Sequence, residues 1–533
     1  MMTASCVTRD WATRLGGLTL MALLALLALP AQAGTDLAGV AVPGTAPGEV
    51  LKVTNYADDG SPGTLRWALQ KNNADPGQYR IELAVTGDGP HVIRVQSALP
   101  PIKGPVVIDN VSYDRDGRYV VVDGADYIGG TDPQDCPGAV DGQFGTNVRT
   151  TSKPGLVLRD TRAVEIHGLE IRNFCIGVLV NRASGNLIHD NRIVHNIGGS
   201  GVMLTGDDGQ GNSTATTTVH NKILNNTFVD NGDAMEATRG AAFNLIAGNR
   251  VTSSDQRNNE PSQGLEILWG NDNIVVNNHF EHLSDGVQLN WGNRNYISGN
   301  TFTALSSGVT LSGTGNIVAG NTLRGNRVAV AVRPQPVPPA EGEMGAHRVL
   351  GASINTISAN RMIDNGQDIR RCYAGGSCLP QMKGAIVFNV PGLEHGQFEG
   401  NRGGGVETDS DKLDRICALD GPAEGCQETP NRGQKAPELL AVNVPDEGPA
   451  EIEGELAGLP DSLYRVELFA NRTPGETEAE AYLGFIRVAL NDDGKATFRF
   501  PLAAEQLEGV RNVTATATTP DGATSMLSEP LAL

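Results

Sequence analysis

The sequence predicts an all-β protein: a long solenoid of parallel strands, followed by a small antiparallel β-sandwich of immunoglobulin type. Three observations predict it. Glycine supplies 66 of 533 residues, about 12% against a usual value near 7%, as expected where tight turns recur. Aromatic residues make up 5% and charged residues 19% beside 39% apolar; that is too little charge for a disordered polyelectrolyte and the wrong texture for a helix bundle. Third, an asparagine motif returns at a period near 22 residues. The formal charge of −20 excludes broad nucleic-acid binding.

Residues 1–33 read as a secretory signal. Arg9 and Arg14 precede the apolar run Leu15–Leu29, and Ala31-Gln32-Ala33 supplies small residues for cleavage. The run is short for a membrane span of ~20 residues, and no later stretch approaches that length, so the mature chain is expected to be exported to the periplasm, cell surface or medium without a transmembrane segment. Cleavage would leave a charge of −21 and six of the seven cysteines. Cys372/Cys378 and Cys417/Cys426 are close enough to close two small loops, and Cys136/Cys175 would form a third pair.

The repeat occupies the middle of the chain. Asn, four mostly apolar or small residues, then Asn recurs as Asn186/Asn191, Asn221/Asn226, Asn244/Asn249, Asn273/Asn278, Asn295/Asn300, Asn316/Asn321 and Asn355/Asn360. The second asparagines are separated by 35, 23, 29, 22, 21 and 39 residues, so the basic unit is 21–23 with insertions in three units. A period of this size with alternating side chains is one coil of a parallel β-solenoid. Two positions beyond each second Asn sits an apolar residue, Ile193, Phe228, Val251, Phe280, Phe302, Leu323 or Met362, expected to stack inward. The asparagines are expected to form ladders that satisfy the backbone of the turns. An imperfect unit, Ala163 to Asn173, extends the series upstream.

This repeat is similar to that of right-handed parallel β-helix proteins of the pectate-lyase-like superfamily. Gly63-Thr64-Leu65-Arg66-Trp67-Ala68-Leu69 resembles the short helix that covers the first coil in many of them, closing an end that would otherwise expose apolar side chains and unpaired strands. The resemblance spans about residues 50–405. It implies a right-handed coil and leaves activity open, because the superfamily includes lyases, hydrolases, epimerases and non-enzymatic surface proteins. The chain lacks the Gly-His-Gly and Arg-x-Lys of polygalacturonase-type hydrolases and the Asp-Pro-His of alginate epimerases.

The organisation expected is therefore a signal over 1–33, a β-helix with its N-terminal cap over 34–405, a linker with a cysteine pair over 406–436, and an acidic sandwich over 437–533. Residues 437–533 hold 17 acidic and 6 basic side chains, net −11. Alternation in Tyr464-Arg465-Val466-Glu467-Leu468-Phe469 marks a half-buried strand, and Asn491-Asp492-Asp493-Gly494 reads as a hairpin turn. Such a module is expected as a spacer or adhesive element.

Candidate chemistry lies on the strands that follow each Asn pair. Alternation puts Val202, Met235, Leu265, Val287 and Val309 inside and Leu179, Met203, Glu236, Glu266, Gln288 and Thr310 toward solvent. Stacking at about 4.8 Å sets Glu236 beside Glu266 and Trp269 beside Trp291. Two adjacent carboxylates repel, so one is expected to hold its proton and act as acid while the other acts as base; the alternative is a pair of ordinary solvated strand residues. Exposed tryptophans would be platforms for sugar rings, with Gln288, Asn290, Arg182 and Arg239 binding substrate. Asp207-Asp208-Gly209 offers adjacent carboxylates to Ca²⁺, or is simply an acidic turn. His195, Asp230, Ser253 and His282 share a turn position and offer a His–carboxylate pair or turn stabilisation. These readings point to an exported protein that cleaves a polysaccharide or cell-surface glycan, by hydrolysis or by β-elimination with arginine or Ca²⁺ neutralising a uronate. The other reading is a non-catalytic surface or adhesion protein.

Overall fold

The computed structural model describes residues 48–84, 91–132, 135–136, 153–206, 216–254, 263–290, 292–333, 354–369, 371–372, 378–379, 383–388, 430–445 and 448–533, all within one compact unit, Ala41–Leu533. The signal segment, Cys417 and Cys426 lie outside the described residues. Among these residues, three parallel sheets of eleven, ten and nine strands form the coil. Each sheet contributes an inward column of apolar side chains. In the first sheet it runs Ile81, Ile108, Ile166, Ile188, Ile223, Ile246, Val275, Ile297, Val318 and Ile357. In the second, Ile193, Phe228, Val251, Phe280, Phe302, Leu323 and Met362 stack as the period predicts, each at most 1% exposed. Phe280 and Phe302 lie parallel with ring centroids 5.1 Å apart. One core column per coil face explains why a chain so poor in charge folds stably.

The asparagines form ladders with a direction. Asn186 donates its backbone N–H and its Nδ2 to Asn221 Oδ1, and the same pair of bonds passes through Asn244, Asn273, Asn295, Asn316 and Asn355. A second ladder joins Asn191 to Asn360 in the same way. The remaining Nδ2 hydrogen goes to a main-chain carbonyl, as from Asn273 to Ala241. An amide suits this position because it accepts and donates at once. A third, interrupted ladder of Asn196, Asn231, Asn326 and Asn365 was not anticipated. The upstream unit is a coil, since Val164 N donates to Asn186 Oδ1.

The helix Leu65–Ala74 buries Leu65, Ala68 and Leu69 with Leu51 and Val53 of the first strand, and Thr64 caps it by accepting from Trp67 N. Cys136 and Cys175 are disulfide-bonded; a Cβ on Gly198 would meet Cys136 Sγ at 2.4 Å, so glycine is required there. Cys372 and Cys378 stand opposite in a two-stranded ribbon.

The C-terminal residues form two antiparallel sheets, Glu438–Asn443, Ala450–Ala457 and Lys495–Leu502 in one, and Ala481–Ala489, Leu463–Asn471, Asn512–Thr518 and Leu531–Ala532 in the other. Two expectations change here. Asn491–Gly494 joins strands of different sheets, so it is an inter-sheet connection and not a hairpin; Asn491 Oδ1 still closes the turn by accepting from Asp493 N and Lys495 N. Nor is the region a detached spacer. Asn431 takes the ladder position after Asn355, Glu467 accepts from Ser358 Oγ and Ala359 N, Glu478 accepts from Asn365, and Met362 N donates to Ala479 O. It closes the last coil.

Candidate active site on the third sheet

The strands Ile176–Asn181, Ser200–Thr205, Asp233–Thr238, Gln263–Leu268, Asp285–Asn290, Ser307–Leu311 and Val328–Val332 are consecutive in the third sheet. Their register makes one outward column of Leu179, Met203, Glu236, Glu266, Gln288 and Thr310. The column therefore sets Glu236 beside Glu266. It is not the open face expected, because Leu179, Met203, Glu236, Gln288 and Thr310 are all buried and Glu266 is half-buried. Leu179 and Met203 pack with Val157 and Ile176 in an apolar cluster of their own, and the polar positions are filled by pairing between coils.

That pairing is diagonal. In three of the strands the first residue reaches the column residue of the next coil: Ser200 Oγ donates to Glu236 Oε2 at 3.1 Å, Gln263 Nε2 to Gln288 Oε1 at 2.9 Å, and Asp285 Oδ1 accepts from Thr310 Oγ1 at 2.6 Å. At the step from the Asp233 strand to the Glu266 strand both partners are acids. Carboxylate oxygens of Asp233, Glu236 and Glu266 lie within 4.8 Å of one another. Where neighbouring coils place a neutral donor against an acceptor, this one concentrates three acidic groups, whose mutual repulsion opposes the ionisation of all three together.

Cationic and amide groups adjoin. Arg239, buried at the end of the Glu236 strand, lies over the Trp269 ring with its guanidinium carbon 5.6 Å from the centroid. Trp269 packs against Leu268 and is 7% exposed, so it is not a solvent-facing sugar platform. Asn290 Nδ2 donates to Glu266 Oε1 at 3.0 Å and Gln288 Oε1 at 3.1 Å, while Asn290 Oδ1 accepts from Arg333 Nη2 at 2.8 Å. Burial pushes the Asp285 carboxyl up, against the opposing effects of the Thr310 hydrogen bond and the Arg333 charge.

The structure thus joins Glu236, Glu266, Gln288 and Asn290, and pairs Arg239 with Trp269. Arg182 stands apart: it pairs with Asp160 through two bonds of 2.8 Å, two strands away from Glu236. Trp291, Asp207 and Asp208 lie outside the described residues. Arg182, Arg239 and Trp269 all adopt positive φ, as do His195, Asp230 and His282; the conformation belongs to the turn repeated in each coil. His195 meets Asn173, Asp230 accepts from Ser254, and His282 Nε2 lies 3.5 Å from the Glu281 carboxylate beside it in sequence, so among the described residues the histidines of that turn column do not pair with Asp230. Sequence reasoning missed Asp233, Gln263, Asp285 and Arg333. The available signal was a polar residue three positions before the column residue in successive strands.

A second polar cluster lies on the outside of the first sheet. His167 and His189 stack with centroids 4.6 Å apart and planes 18° from parallel. His189 bonds Asp190 at 2.7 Å and Glu165 at 3.2 Å; burial opposes its charge, but these bonds outweigh it and raise the group to about 9. His167, His189 and Asp190 bring ligand atoms within 4.8 Å of one another, but His189 engages both ring nitrogens with Asp190 and Glu165, and as a cation it offers no lone pair to a metal. The three carboxylates of the third sheet offer only oxygen, the donor set of a hard cation such as Ca²⁺.

The family described as "Right handed beta helix region" matches residues 177–336, in accord with the three parallel sheets. The 3-dehydroshikimate dehydratase of Acinetobacter baylyi (strain ATCC 33305 / BD413 / ADP1) is 48% identical over 492 residues, covering 92% of this chain and 96% of that protein. This chain belongs to the family of that dehydratase. Among solved structures, the Dettilon tailspike protein is similar over 85% of this chain and 94% of its own at 13% identity and TM-score 0.37. An exopolygalacturonase from Thermotoga maritima is similar over 64% and 89% at 12% identity and TM-score 0.33. At those scores neither bears on what members of this family do. Among the described residues, no helix is long and apolar enough to cross a membrane.

Proposed function

We propose that this protein is a dehydratase acting on 3-dehydroshikimate or a closely similar hydroxy-oxo cyclohexene carboxylate, at the outer face of the third sheet. The observation that carries the reading is the meeting of three carboxyl groups within 4.8 Å on a face that also bears Arg239 and Arg333, in a chain 48% identical to a protein named for that reaction. Such a substrate carries a hydroxyl β to its ketone. A carboxylate base takes the proton α to the ketone, a carboxylic acid protonates the β hydroxyl, and the C–H and C–O bonds give way to a double bond and water. Loss of a further ring proton to the ketone oxygen then yields a dihydroxybenzoate. Asp233, Glu236 and Glu266 supply acid and base from one residue type because crowding keeps them from all ionising together. Arg333 suits the substrate carboxylate, which a guanidinium binds in two-point fashion, while Arg239, buried over the Trp269 ring, adds positive charge behind the face.

Cleavage of a polysaccharide fits less well, since it called for exposed tryptophans and Trp269 is buried. Export remains part of the proposal, supported by the apolar N-terminal segment and by the Cys136–Cys175 disulfide, a bond typical of oxidising compartments. The test is to incubate purified protein with 3-dehydroshikimate and follow the aromatic product by ultraviolet absorbance and the loss of one water by mass. Appearance of that product supports the reading. No product from 3-dehydroshikimate, with new reducing ends or unsaturated ends from a glycan panel, would overturn it.

A further inference from the structure

We propose that the Thr238 hydroxyl is a substrate-binding group of the third-sheet site, hydrogen-bonded in the complex to the ring hydroxyl that survives the dehydration. The identity of that ligand rests on the dehydratase reading.

Ala237 faces the core, so Thr238 points outward, two residues beyond Glu236 and about 7 Å further along the same strand. In register it stands beside Leu268, which stands beside Asn290. The outer face therefore carries two rows, Glu236, Glu266 and Gln288 in one and Thr238, Leu268 and Asn290 in the other. A six-membered ring laid across them meets carboxyl groups along one edge, an apolar floor at Leu268, and an alcohol at Thr238.

Thr238 is fully buried, and its Oγ1 has no hydrogen-bond partner among the described residues. Buried hydroxyls are nearly always satisfied, because one closed off from water loses its solvation and gains nothing in return. The fold itself gives no reason for this one. The neighbouring coil carries Leu268 at the same place, and valine has the same branched shape and suits a strand equally well. The hydroxyls of Thr217 and Thr516 share the condition, but neither residue lies on a strand of this sheet. Thr238 thus places an unused donor and acceptor next to the carboxyl cluster without adding to its charge. In the dehydration the β hydroxyl leaves as water, so it must meet an acid. The ketone oxygen becomes one hydroxyl of the dihydroxybenzoate, and the other is a substrate hydroxyl that stays on the ring. That retained hydroxyl both donates and accepts, as Thr238 does, and it can be held from substrate through to product.

The test pairs two ligands with variants of the full chain. Calorimetry measures binding of 3,4-dihydroxybenzoate, which keeps the retained hydroxyl, and of 3-hydroxybenzoate, which lacks it; turnover of 3-dehydroshikimate is followed in parallel. Wild type should prefer the first ligand by about 3–10-fold, the range of one neutral hydrogen bond. T238V should bind the two alike, lose about 3–10-fold in kcat/KM, and melt at or above the wild-type temperature, whereas T238S should keep the preference. Should T238V fail to fold, T238A removes the same hydroxyl and gives the same comparison. An unchanged preference and kcat/KM in the folded variant overturn the inference and leave the dehydratase reading standing. A preference that T238V abolishes, in a protein that does not turn over 3-dehydroshikimate, upholds the Thr238 contact and overturns the dehydratase reading. Neither binding nor turnover in wild type overturns both.

Discussion

Glu478 receives two hydrogen bonds from Asn365, one from the backbone N–H at 2.8 Å and one from Nδ2 at 3.1 Å, and so occupies the place of the next asparagine in its ladder. Burial raises this carboxyl to about 8, although both bonds from Asn365 work the other way. The folded group therefore holds its proton over a range where the unfolded chain, near 4.5, has lost it. Stability from this contact is complete below pH 4.5 and is lost as pH rises toward 8. E478Q, neutral at every pH, should be more stable than wild type at pH 9 by on the order of 1–3 kcal/mol and show no such advantage at pH 5. Thermal denaturation across that pH range measures it.

Removing a ladder rung should be expensive. In N273A, Asn244 loses the acceptor for both its backbone N–H and its Nδ2, in a buried site. A cost of about 2–4 kcal/mol follows from two unsatisfied buried donors, read by chemical denaturation. N273D should recover only part, since a carboxylate accepts from Asn244 but cannot donate to Ala241 O as Asn273 does.

The carboxyl cluster should separate folding from chemistry. E266Q and D233N are expected to lower kcat on 3-dehydroshikimate by about 10²–10⁴-fold while the melting temperature holds or rises, because each removes a negative charge from a crowded site. A fall in melting temperature matching the fall in rate would assign these groups to the fold instead.

The Arg333 guanidinium should act on binding. R333M is expected to raise KM for the anionic substrate by about 10-fold or more, the value of a hydrogen bond between charged groups. R182M should leave KM unchanged, since Arg182 is engaged with Asp160.

Reduction of Cys136–Cys175, which spans 39 residues, should destabilise the chain by about 2–4 kcal/mol. Melting curves with and without reductant, paired with thiol counting, check it.

Much of this molecule is written locally. The two complete asparagine ladders, the inward phenylalanines and the Glu236/Glu266 adjacency follow from counting, because a coil of fixed period turns sequence spacing into spatial register. The third ladder carried the same signal at five-residue spacing, Asn186-Asn191-Asn196 and Asn355-Asn360-Asn365, but Leu283 and Leu305 interrupt it. Asp233 and Asp285 were hidden because they precede the alternating part of their strands and act on the following coil. Exposure was misjudged for a similar reason: alternation tells which way a side chain points, not what its neighbours in the adjacent coil fill. Glu467 and Glu478 look like ordinary surface acids in an acidic tail, and only contacts across more than a hundred residues show them buried. Asn491–Gly494 has a sequence that serves equally for a hairpin and for a link between sheets.

The asparagine ladders have a donor end and an acceptor end, and that polarity bears on assembly. Each coil asks for an acceptor from the one after it, so an uncapped last coil would be a template for another coil, including one from a neighbouring molecule. Glu478 answers the request without repeating it, since a carboxyl group at that position accepts from Asn365 and passes no amide onward. The acidic domain thus acts as a chain terminator for that ladder, withholding from the solenoid a growing end by which repeat proteins become fibres.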